Sequence, residues 1–122
     1  MSQILIVEDE TRLAAFLQKG LQKKGYLTSV AEDGEQAIEI ASNKQFDLMV
    51  LDLGLPIKDG FTVLRELRSK GKKFPIIVVT ARSDDQDKAK AIYYGADDYL
   101  RKPFRFKDLL SLVEENLLLV KN

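Results

Sequence analysis

The sequence predicts an α/β fold, an open and doubly wound sheet of five parallel strands flanked by helices. Five short apolar runs alternate with segments whose apolar residues recur at helical spacing. The first, third and fourth runs are apolar at every position, which is typical of strands covered on both faces and therefore of parallel sheets. The runs lie at 4–7, 27–31, 48–51, 76–79 and 99–100.

Each predicted strand is followed by an amphipathic helix, so the chain reads as five βα units. Right-handed crossovers then give the strand order 2-1-3-4-5, with ligands expected above the carboxyl ends of strands 1 and 3. Asp9, Asp59 and Asp84 stand at expected helix N-caps, and Gly25 and Gly71 follow helices where a left-handed residue is favoured. The apolar stripes are Leu13, Phe16, Leu17 and Leu21; Ala37, Ile38 and Ala41; Val63, Leu64 and Leu67; Ala89, Ile92 and Ala96; and, in a last helix over 106–120, Leu109, Leu110, Val113 and Leu117.

Length and composition indicate a single domain spanning residues 1–122. Hydrophobic residues make up 45% of the chain and charged residues 31%, which is typical of globular proteins. Nineteen basic and nineteen acidic residues leave no net charge, and no basic cluster points to direct contact with nucleic acid. Because the sequence shows neither a signal peptide nor an apolar run of membrane length, we expect no membrane association and a cytoplasmic location.

The chain contains no cysteine and no histidine, which narrows the possible chemistry. Disulfides, thiolate nucleophiles, imidazole catalysis and metal sites built from these residues are excluded. Carboxylates, hydroxyls and amines remain as the groups that could carry a reaction.

Groups of these types fall at the ends of the predicted strands. Glu8 and Asp9 follow strand 1, Asp52 follows strand 3, and Thr80 and Lys102 follow strands 4 and 5. Adjacent carboxylates repel one another, so a cation is expected among them, and oxygen ligands without imidazole favour Mg²⁺. Thr80 and Lys102 suit phosphoryl oxygens, and Asp52 is the candidate nucleophile. The pattern therefore predicts phosphoryl transfer to Asp52.

Each of these residues has a simpler explanation when it is taken alone. Asp9 would serve as an N-cap, Glu8 as an exposed loop acid, Thr80 as an ordinary strand residue and Lys102 as a solvated lysine. Asp52 is harder to explain in this way, because an unpaired charge directly after a buried strand is costly. Suitable groups at four separate strand ends favour a functional site over coincidence.

Four groups of motifs extend over the whole chain. They are ILIVEDE at 4–10; DLMVLDL at 47–53, with LP at 55–56 and DG at 59–60; VTA at 79–81; and GADDYL at 95–100, with KPF at 102–104. With these motifs the chain resembles the receiver domain of two-component response regulators, the phospho-acceptor partners of sensor histidine kinases. The resemblance implies the flavodoxin-like fold of the chemotaxis regulators. The last group is most similar to receivers of winged-helix transcription factors.

The resemblance implies a role for each acidic site residue. Asp52 would accept a phosphoryl group from a phosphohistidine of a sensor histidine kinase or a phosphotransfer protein. Asp9 and Asp52 would ligate Mg²⁺ together with the main-chain carbonyl of Gly54, and Glu8 would act largely through water. Residues 11–21 would carry the choice of kinase.

The remaining motif residues are implied in the response to phosphate. Thr80 and Lys102 would bind the phosphoryl oxygens, and the Lys102–Pro103 peptide bond would be cis. Phosphate would draw the Thr80 hydroxyl inward and let Tyr99 turn from an exposed to a buried position. The surface of helix 4, strand 5 and helix 5 would then change. Arg82 lies where it could screen the phosphate from water.

That surface departs from the related receivers, which usually dimerise there through charged pairs with arginines on helix 5. Leu112 and Leu119 occupy the positions where those arginines are expected, and both lie outside the predicted core stripe. Tyr93 and Tyr94 lie outside the stripe of helix 4. We expect an exposed apolar patch that mediates homodimerisation or docks a partner helix. Rim contacts would come from Lys88, Asp97, Asp98 and Asp108.

Three other function classes stay open at this point. A flavodoxin-like cofactor carrier shares the fold, but its phosphate loop is rich in hydroxyls and glycine, whereas the loop after strand 1 reads EDE. A Mg²⁺-dependent phosphohydrolase fits the carboxylates, but Gly54 stands where a second aspartate is usual, and no cap domain fits the length. A receiver-like module that never takes phosphate is disfavoured by the full set of site residues.

Overall fold

The computed structural model describes residues 1–81 and 84–121, in which strands and helices alternate. The strands are β1 (Gln3–Val7), β2 (Leu27–Ala31), β3 (Leu48–Leu51), β4 (Ile76–Thr80) and β5 (Asp98–Arg101). The helices are α1 (Thr11–Lys23), α2 (Gly34–Asn43), α3 (Gly60–Ser69), α4 (Asp85–Tyr93) and α5 (Phe106–Lys121). All five predicted strands are confirmed, and Thr80 is the last residue of β4 rather than the residue after it. Within the described ranges, no helix has both the length and the apolar character needed to cross a bilayer.

The strands form one parallel sheet in the predicted order β2-β1-β3-β4-β5. Val7 of β1 pairs with Ala31 of β2 and with Leu51 of β3, so these three strands end level with one another. Because the strands run in one direction, their carboxyl ends meet at one edge, and the winding reverses between β1 and β3. The residues that follow β1 and β3 are therefore neighbours in space.

Helices cover both faces of the sheet and create two cores. On one face, α1 and α5 pack against strand residues that include Ile4, Ile6 and Val50. On the other face, α2, α3 and α4 pack against residues that include Leu5 and Met49. Successive strand residues thus enter opposite cores, which explains why β3 and β4 are apolar and buried along almost their whole length.

The predicted helix ends are confirmed in part. The side chain of Asp59 caps α3 by accepting a hydrogen bond from a backbone N–H at 2.9 Å, and that of Asp84 caps α4 in the same way at 2.8 Å. The prediction of Asp9 as an N-cap was wrong, because α1 starts later, with Glu10 at the N-cap and no side-chain cap. The Asp9 carboxylate therefore does not cap α1. The predicted left-handed residues are confirmed, with φ of 92° and 80° at Gly25 and Gly71.

The buried face of α4 differs from the predicted one. Ala91 is the buried helix residue, whereas Ala89 and Ile92 are exposed. The helix ends at Tyr93 and the chain then turns, so Ala96 is buried without belonging to the helical period. Because the prediction counted Ala96 as part of the helix, it placed the apolar stripe on a different side of α4 from the one that is buried.

The Arg68 guanidinium joins α3 to the turn that leads into β5. It donates hydrogen bonds to the carbonyl oxygens of Lys72, Phe74 and Gly95, at distances between 2.7 and 3.1 Å. Its Nη2 also lies 3.0 Å from the carboxylate of Asp97. Burial lowers the pKa of Arg68, and the charge of Asp97 and the hydrogen bond to it act in the opposite direction. This side chain therefore holds two loops together where β5 begins.

The loop between β3 and α3 contains a strained residue. Ile57 has a φ of 70°, in the left-handed region that β-branched residues rarely adopt. Neighbouring contacts impose this conformation, since the Pro56 carbonyl accepts the N–H groups of Gly34 at 3.4 Å and Lys58 at 2.8 Å. The Lys58 ammonium is anchored in turn by Glu66 at 3.0 Å. The Ile57 side chain is 71% exposed, so its own packing does little to offset the strain.

We expect Ile57→Gly to raise the free energy of unfolding by about 1 kcal/mol, because glycine adopts a positive φ without the steric cost. Urea denaturation of the two proteins measures the difference. Ile92→Gly is the matched control, since it removes another exposed isoleucine from within α4 and should lower the free energy by about 1 kcal/mol. Equal losses in both variants would show that the loop is not strained.

Candidate functional site

Four strand ends bring the predicted site residues to one edge of the sheet. Glu8 and Asp9 follow β1, Asp52 follows β3, Thr80 ends β4 and Lys102 follows β5. Backbone pairing continues just past the strands. The Asp52 N–H donates to the last carbonyl of β1 at 3.1 Å, and the Lys102 N–H donates to the Thr80 carbonyl at 2.8 Å. The sheet itself therefore sets the positions of these side chains.

Three carboxylates meet at this edge. Glu8, Asp9 and Asp52 each place an oxygen within 4.8 Å of the oxygens of the other two. Glu8 and Asp52 are buried, with 1% and 7% of their surface exposed, whereas Asp9 is exposed. Like charges at this separation repel, and burial removes the water that would screen them. The cluster therefore needs positive charge nearby.

Lys102 supplies positive charge to the cluster. Its Nζ lies 2.8 Å from Glu8 Oε1 and 3.2 Å from Asp52 Oδ2. It also lies 3.2 Å from a carboxylate oxygen of Glu10, an exposed acid to which the sequence analysis assigned no role. The signal for this contact that the sequence offered was the EDE run, of which Glu10 is the third acid. The peptide bond between Lys102 and Pro103 is cis, as the resemblance implied.

For both Glu8 and Lys102, burial and hydrogen bonding shift the pKa in opposite directions. Burial raises the pKa of Glu8, and the hydrogen bonds from Lys102 and from the Glu10 N–H offset this only in part. Burial alone would lower the pKa of Lys102, but the hydrogen bond to Glu8 and the charge of Asp52 outweigh it and raise that pKa. Lys102 therefore carries its positive charge at neutral pH.

Asp52 is held at both carboxylate oxygens. Oδ1 accepts the Gly54 N–H at 3.2 Å, and Oδ2 faces Lys102. The loop behind it is tightly packed, because the Gly60 N–H donates to the Leu53 carbonyl at 2.9 Å. A Cβ at Gly60 would lie 2.5 Å from the carbonyl oxygen of Asp52. Position 60 therefore requires glycine to keep Asp52 where it is.

Thr80 and Tyr99, the predicted switch residues, lie on neighbouring strands. Thr80 is 2% exposed, and Tyr99 is half-buried against the core on the α2–α3–α4 side. Tyr99 pairs with Val78, two residues before Thr80, so both side chains belong to the same face of the sheet. Arg82 lies outside the residues that the structure describes.

The donor set at this edge suits a hard divalent cation. Glu8, Asp9 and Asp52 offer carboxylate oxygens, and the Gly54 peptide lies beside them through its contact with Asp52. Mg²⁺ prefers such oxygen ligands and keeps several waters, which the exposed side of Asp9 leaves room for. The residues present therefore fit the predicted cation.

The acids predicted at the rim of the α4–β5–α5 face already have partners within the chain. Asp97 pairs with Arg68. Asp98 accepts a hydrogen bond from the Asn116 side chain at 2.7 Å. Asp108 lies 3.4 Å from the guanidinium of the arginine three residues before it. These carboxylates are therefore engaged before any second molecule arrives.

Asn116 is a buried polar residue that the sequence analysis missed. It is 6% exposed and donates to Asp98 and to the Leu112 carbonyl. Its spacing of seven residues from Leu109 and three from Val113 places it within the core stripe of α5. An amide at such a position needs a hydrogen-bond partner, and this was the available signal.

The apolar patch on this face also differs from the predicted one. Leu119 is 71% exposed, but Leu112 is half-buried and packs against the α1–α5 core, so the prediction that Leu112 points away was wrong. Leu112 lies one turn before Asn116 and so borders the buried stripe. Tyr93 is 84% exposed, whereas Tyr94 packs half-buried against the core. Among the side chains that the structure describes on α4 and α5, the exposed large apolar ones are Ile92, Tyr93, Leu118 and Leu119.

Comparisons with known proteins assign the family. Residues 4–114 match the model of the response regulator receiver domain. The transcriptional regulatory protein PcoR of Escherichia coli is 42% identical over 113 residues, which are 93% of this chain and 50% of PcoR. The two-component response regulator PhoP of Pseudomonas aeruginosa is 45% identical over 107 residues, 88% of this chain and 48% of PhoP. The chain spans about half the length of these relatives.

A solved structure shares the fold and the family. The response regulator protein TrrA of Thermotoga maritima, in complex with Mg²⁺-BeF, matches with a TM-score of 0.86 and 35% identity. The match covers 94% of this chain and 98% of TrrA. Together with the geometry of the sheet edge, these likenesses show that the chain belongs to the response regulator receiver domains, which act in two-component signalling rather than as enzymes.

Proposed function

We propose that Asp52 is the residue on which this receiver accepts phosphate, and that the donor is a phosphohistidine of a sensor histidine kinase or a phosphotransfer protein. One observation carries the proposal. Asp52 is a buried carboxylate at the centre of the sheet edge, with one oxygen toward Lys102 and the other on the Gly54 N–H. A nucleophile held in this way needs little reorganisation before it attacks.

The transfer exchanges one bond for another. An oxygen of Asp52 attacks the phosphorus atom, an O–P bond forms, and the N–P bond of the phosphohistidine breaks. The imidazole leaves with the electron pair of that bond and takes up a proton, while Asp52 becomes an acyl phosphate. Lys102 lies 3.2 Å from the acceptor carboxylate, so its ammonium can neutralise charge on the transferred phosphoryl oxygens.

We further propose that Glu8, Asp9, Asp52 and the main-chain carbonyl of Gly54 hold Mg²⁺, with Glu8 acting largely through water. When bound, the cation supplies positive charge for the carboxylates and the phosphoryl group. The grouping of three carboxylates within 4.8 Å supports this assignment. So does the Mg²⁺-BeF complex of TrrA, which is 35% identical to this chain.

In this proposal Thr80 and Tyr99 pass the signal on. The two side chains share a sheet face, and a hydrogen bond from the Thr80 hydroxyl to the phosphoryl group would open space beside the half-buried Tyr99 ring. The α4–β5–α5 face would then change shape. We propose that residues 1–122 form one such receiver unit, which acts in the cytoplasm and uses this face as its output surface.

We expect phosphoramidate with Mg²⁺ to add a single phosphoryl group to the chain, as read by intact-mass spectrometry, and to add none when Mg²⁺ is chelated. Asp52→Asn should show no adduct, because an amide oxygen is a poor nucleophile. Asp59→Asn is the matched control, since it removes a nearby acid whose side chain caps α3, and its adduct should remain. An undiminished adduct in Asp52→Asn would refute the assignment.

We expect Asp9→Asn to raise the free energy of unfolding by about 0.5 kcal/mol in metal-free buffer of low ionic strength, because it removes repulsion from the cluster. Mg²⁺ should stabilise the wild-type chain and stabilise the variant less. Urea denaturation with EDTA or Mg²⁺ measures both effects. Glu39→Gln, at an exposed acid outside the cluster, should leave both nearly unchanged. Equal Mg²⁺ stabilisation of wild type and Asp9→Asn would rule out Asp9 as a ligand.

We also propose that the α4–β5–α5 face mediates homodimerisation through apolar rather than charged contacts. The partners of Asp97, Asp98 and Asp108 within the chain support this, because those acids are already engaged. Four exposed apolar residues on α4 and α5, the helices on either side of β5, favour a contact surface there. These residues are Ile92, Tyr93, Leu118 and Leu119.

We expect Leu119→Arg to weaken self-association in sedimentation velocity, most clearly when beryllofluoride mimics the phosphoryl group. Leu27→Arg is the matched control, because Leu27 is 46% exposed and lies on β2, the outermost strand on the side of the sheet away from β5. Leu112 is unsuitable for this test, since it is half-buried. A wild-type chain that stays monomeric with and without beryllofluoride would exclude the dimer.

A further inference from the structure

The loops that lead into the strands lie at the edge of the sheet opposite the acceptor site, and we call this edge the amino edge. These loops are 24–26, 44–47, 70–75 and 94–97. Together they carry five lysines and two aspartates, whereas the loops after β1 and β2, on the acceptor side, read EDE and ED. The chain has no net charge, but its basic and acidic residues are thus divided between opposite ends of the sheet.

Both aspartates of the amino edge are engaged within the chain. Asp97 pairs with Arg68 at 3.0 Å, and Asp47 accepts the Gln3 N–H at 2.7 Å. The lysines have no such counterpart, because none of the ion pairs among the described residues involves them. Their positive charge is therefore not neutralised by the acids of the same edge. The lysines are Lys24, Lys44, Lys70, Lys72 and Lys73.

Helix dipoles account for part of this charge. Lys24, Lys44 and Lys70 are the C-cap residues of α1, α2 and α3, and a cation is favourable at the carboxyl end of a helix. Lys72 and Lys73 lie beyond the last turn of α3, where the dipole has little effect. Stabilisation of the helices therefore does not explain these two lysines.

Two cavities that share Lys44 form a groove along the amino edge, which we call the amino-edge groove. One, of about 490 Å³, lies beside the start of β2. The other, of about 200 Å³, lies between the loops before β3 and β4 and includes Lys72 and Lys73 in its lining. Among the described residues, neither lining includes an acid or an arginine. The polar uncharged side chains of the first cavity are those of Gln3, Gln22, Tyr26, Thr28 and Ser29.

This combination of side chains suits phosphate groups. In complexes with DNA, the phosphates are contacted by lysines and by the hydroxyl and amide groups of serine, threonine, tyrosine and glutamine. Protein partners are more often held by arginine and by aromatic side chains that anchor in pockets. The groove offers no arginine, and its rings at Tyr26, Phe46 and Phe74 are buried or half-buried within the chain. The lining therefore favours a nucleic-acid backbone over an acidic protein.

We infer that the amino-edge groove binds the phosphate backbone of double-stranded DNA without reading its sequence. Duplex DNA carries one negative charge for about every 1.7 Å of its length, so several lysines can each approach a phosphate. Repulsion directs the acidic edge around Asp52 away from the DNA. This inference departs from the sequence-based expectation of no direct contact with nucleic acid. The lysines come from three separate loops, so no basic run in the sequence marks them.

The test uses a fluorescein-labelled DNA duplex of about 20 base pairs, whose binding to the chain is followed by fluorescence anisotropy in about 25 mM salt. The logarithm of the association constant should fall with the logarithm of the salt concentration with a slope of about −3.5, because about four phosphates are neutralised. A duplex of unrelated sequence should bind within about twofold. The absence of binding, a slope shallower than about −2 or a strong preference for one sequence would overturn the inference.

Charge variants test whether the groove is responsible. Lys72→Gln/Lys73→Gln should weaken binding at least about tenfold and make the slope shallower by about 2, because two phosphate contacts are lost. Lys88→Gln/Lys107→Gln is the matched control, since it removes the same net charge at two exposed lysines of α4 and α5, outside the amino edge. Its affinity and slope should stay close to those of the wild-type chain. Equal weakening in the two variants would indicate a response to net charge alone and would overturn the inference.

NMR spectra of the ¹⁵N-labelled chain locate the contact. The duplex should shift the amides of 24–26, 44–46 and 70–74 and leave those around Asp52 in place. Poly-glutamate represents an acidic protein partner and should displace the duplex at least about tenfold less effectively than unlabelled DNA. Shifts centred on another surface would overturn the inference. Equal competition by poly-glutamate would also overturn it, and would assign the groove to an acidic protein instead.

Discussion

The positive charge of the Lys102 ammonium group offsets the repulsion among the acidic side chains at the carboxyl ends of the strands. Parallel strands of level length bring the residues after β1 and β3 to the same place, and here those residues are acids. Lys102 reaches Glu8, Glu10 and Asp52 from the end of β5, which is separated from β3 by β4. The strand order, the Arg68 contacts that place β5 and the turn at Pro103 therefore all bear on the electrostatic balance at Asp52.

Much of this arrangement could be predicted because it depends on local patterns. Strands buried on both faces leave uninterrupted apolar runs, as at 48–51, and the rules for parallel crossovers then fix the strand order. Once the order is known, the positions of Glu8, Asp52 and Lys102 at one edge follow without any knowledge of side-chain contacts. The chemistry of the edge was accessible for the same reason, since it needs only residue types at strand ends.

The features that escaped prediction depend on contacts between distant segments or on where a helix begins or ends. The buried face of α4 was misjudged because the helix ends before Ala96, and Asp9 was taken for a cap because the start of α1 was placed too early. Leu112 is half-buried through packing that helical spacing alone does not describe. The contact between Asn116 and Asp98, and the approach of Gly34 to the Pro56 carbonyl beside Ile57, join segments that are not adjacent in the sequence.

The close approach of Gly34 to the loop after β3 bears on how this protein can vary. A Cβ at position 34 would overlap the carbonyl group of Lys58, so no other residue fits at the start of α2 without moving that loop. The same loop begins at Asp52 and returns to it through Gly60. Position 34 therefore shares the low tolerance to substitution of the acceptor site, although it belongs to a different βα unit. Near the acceptor, substitutions are therefore tolerated more easily at exposed positions such as 57 than at position 34, which contacts the loop after β3.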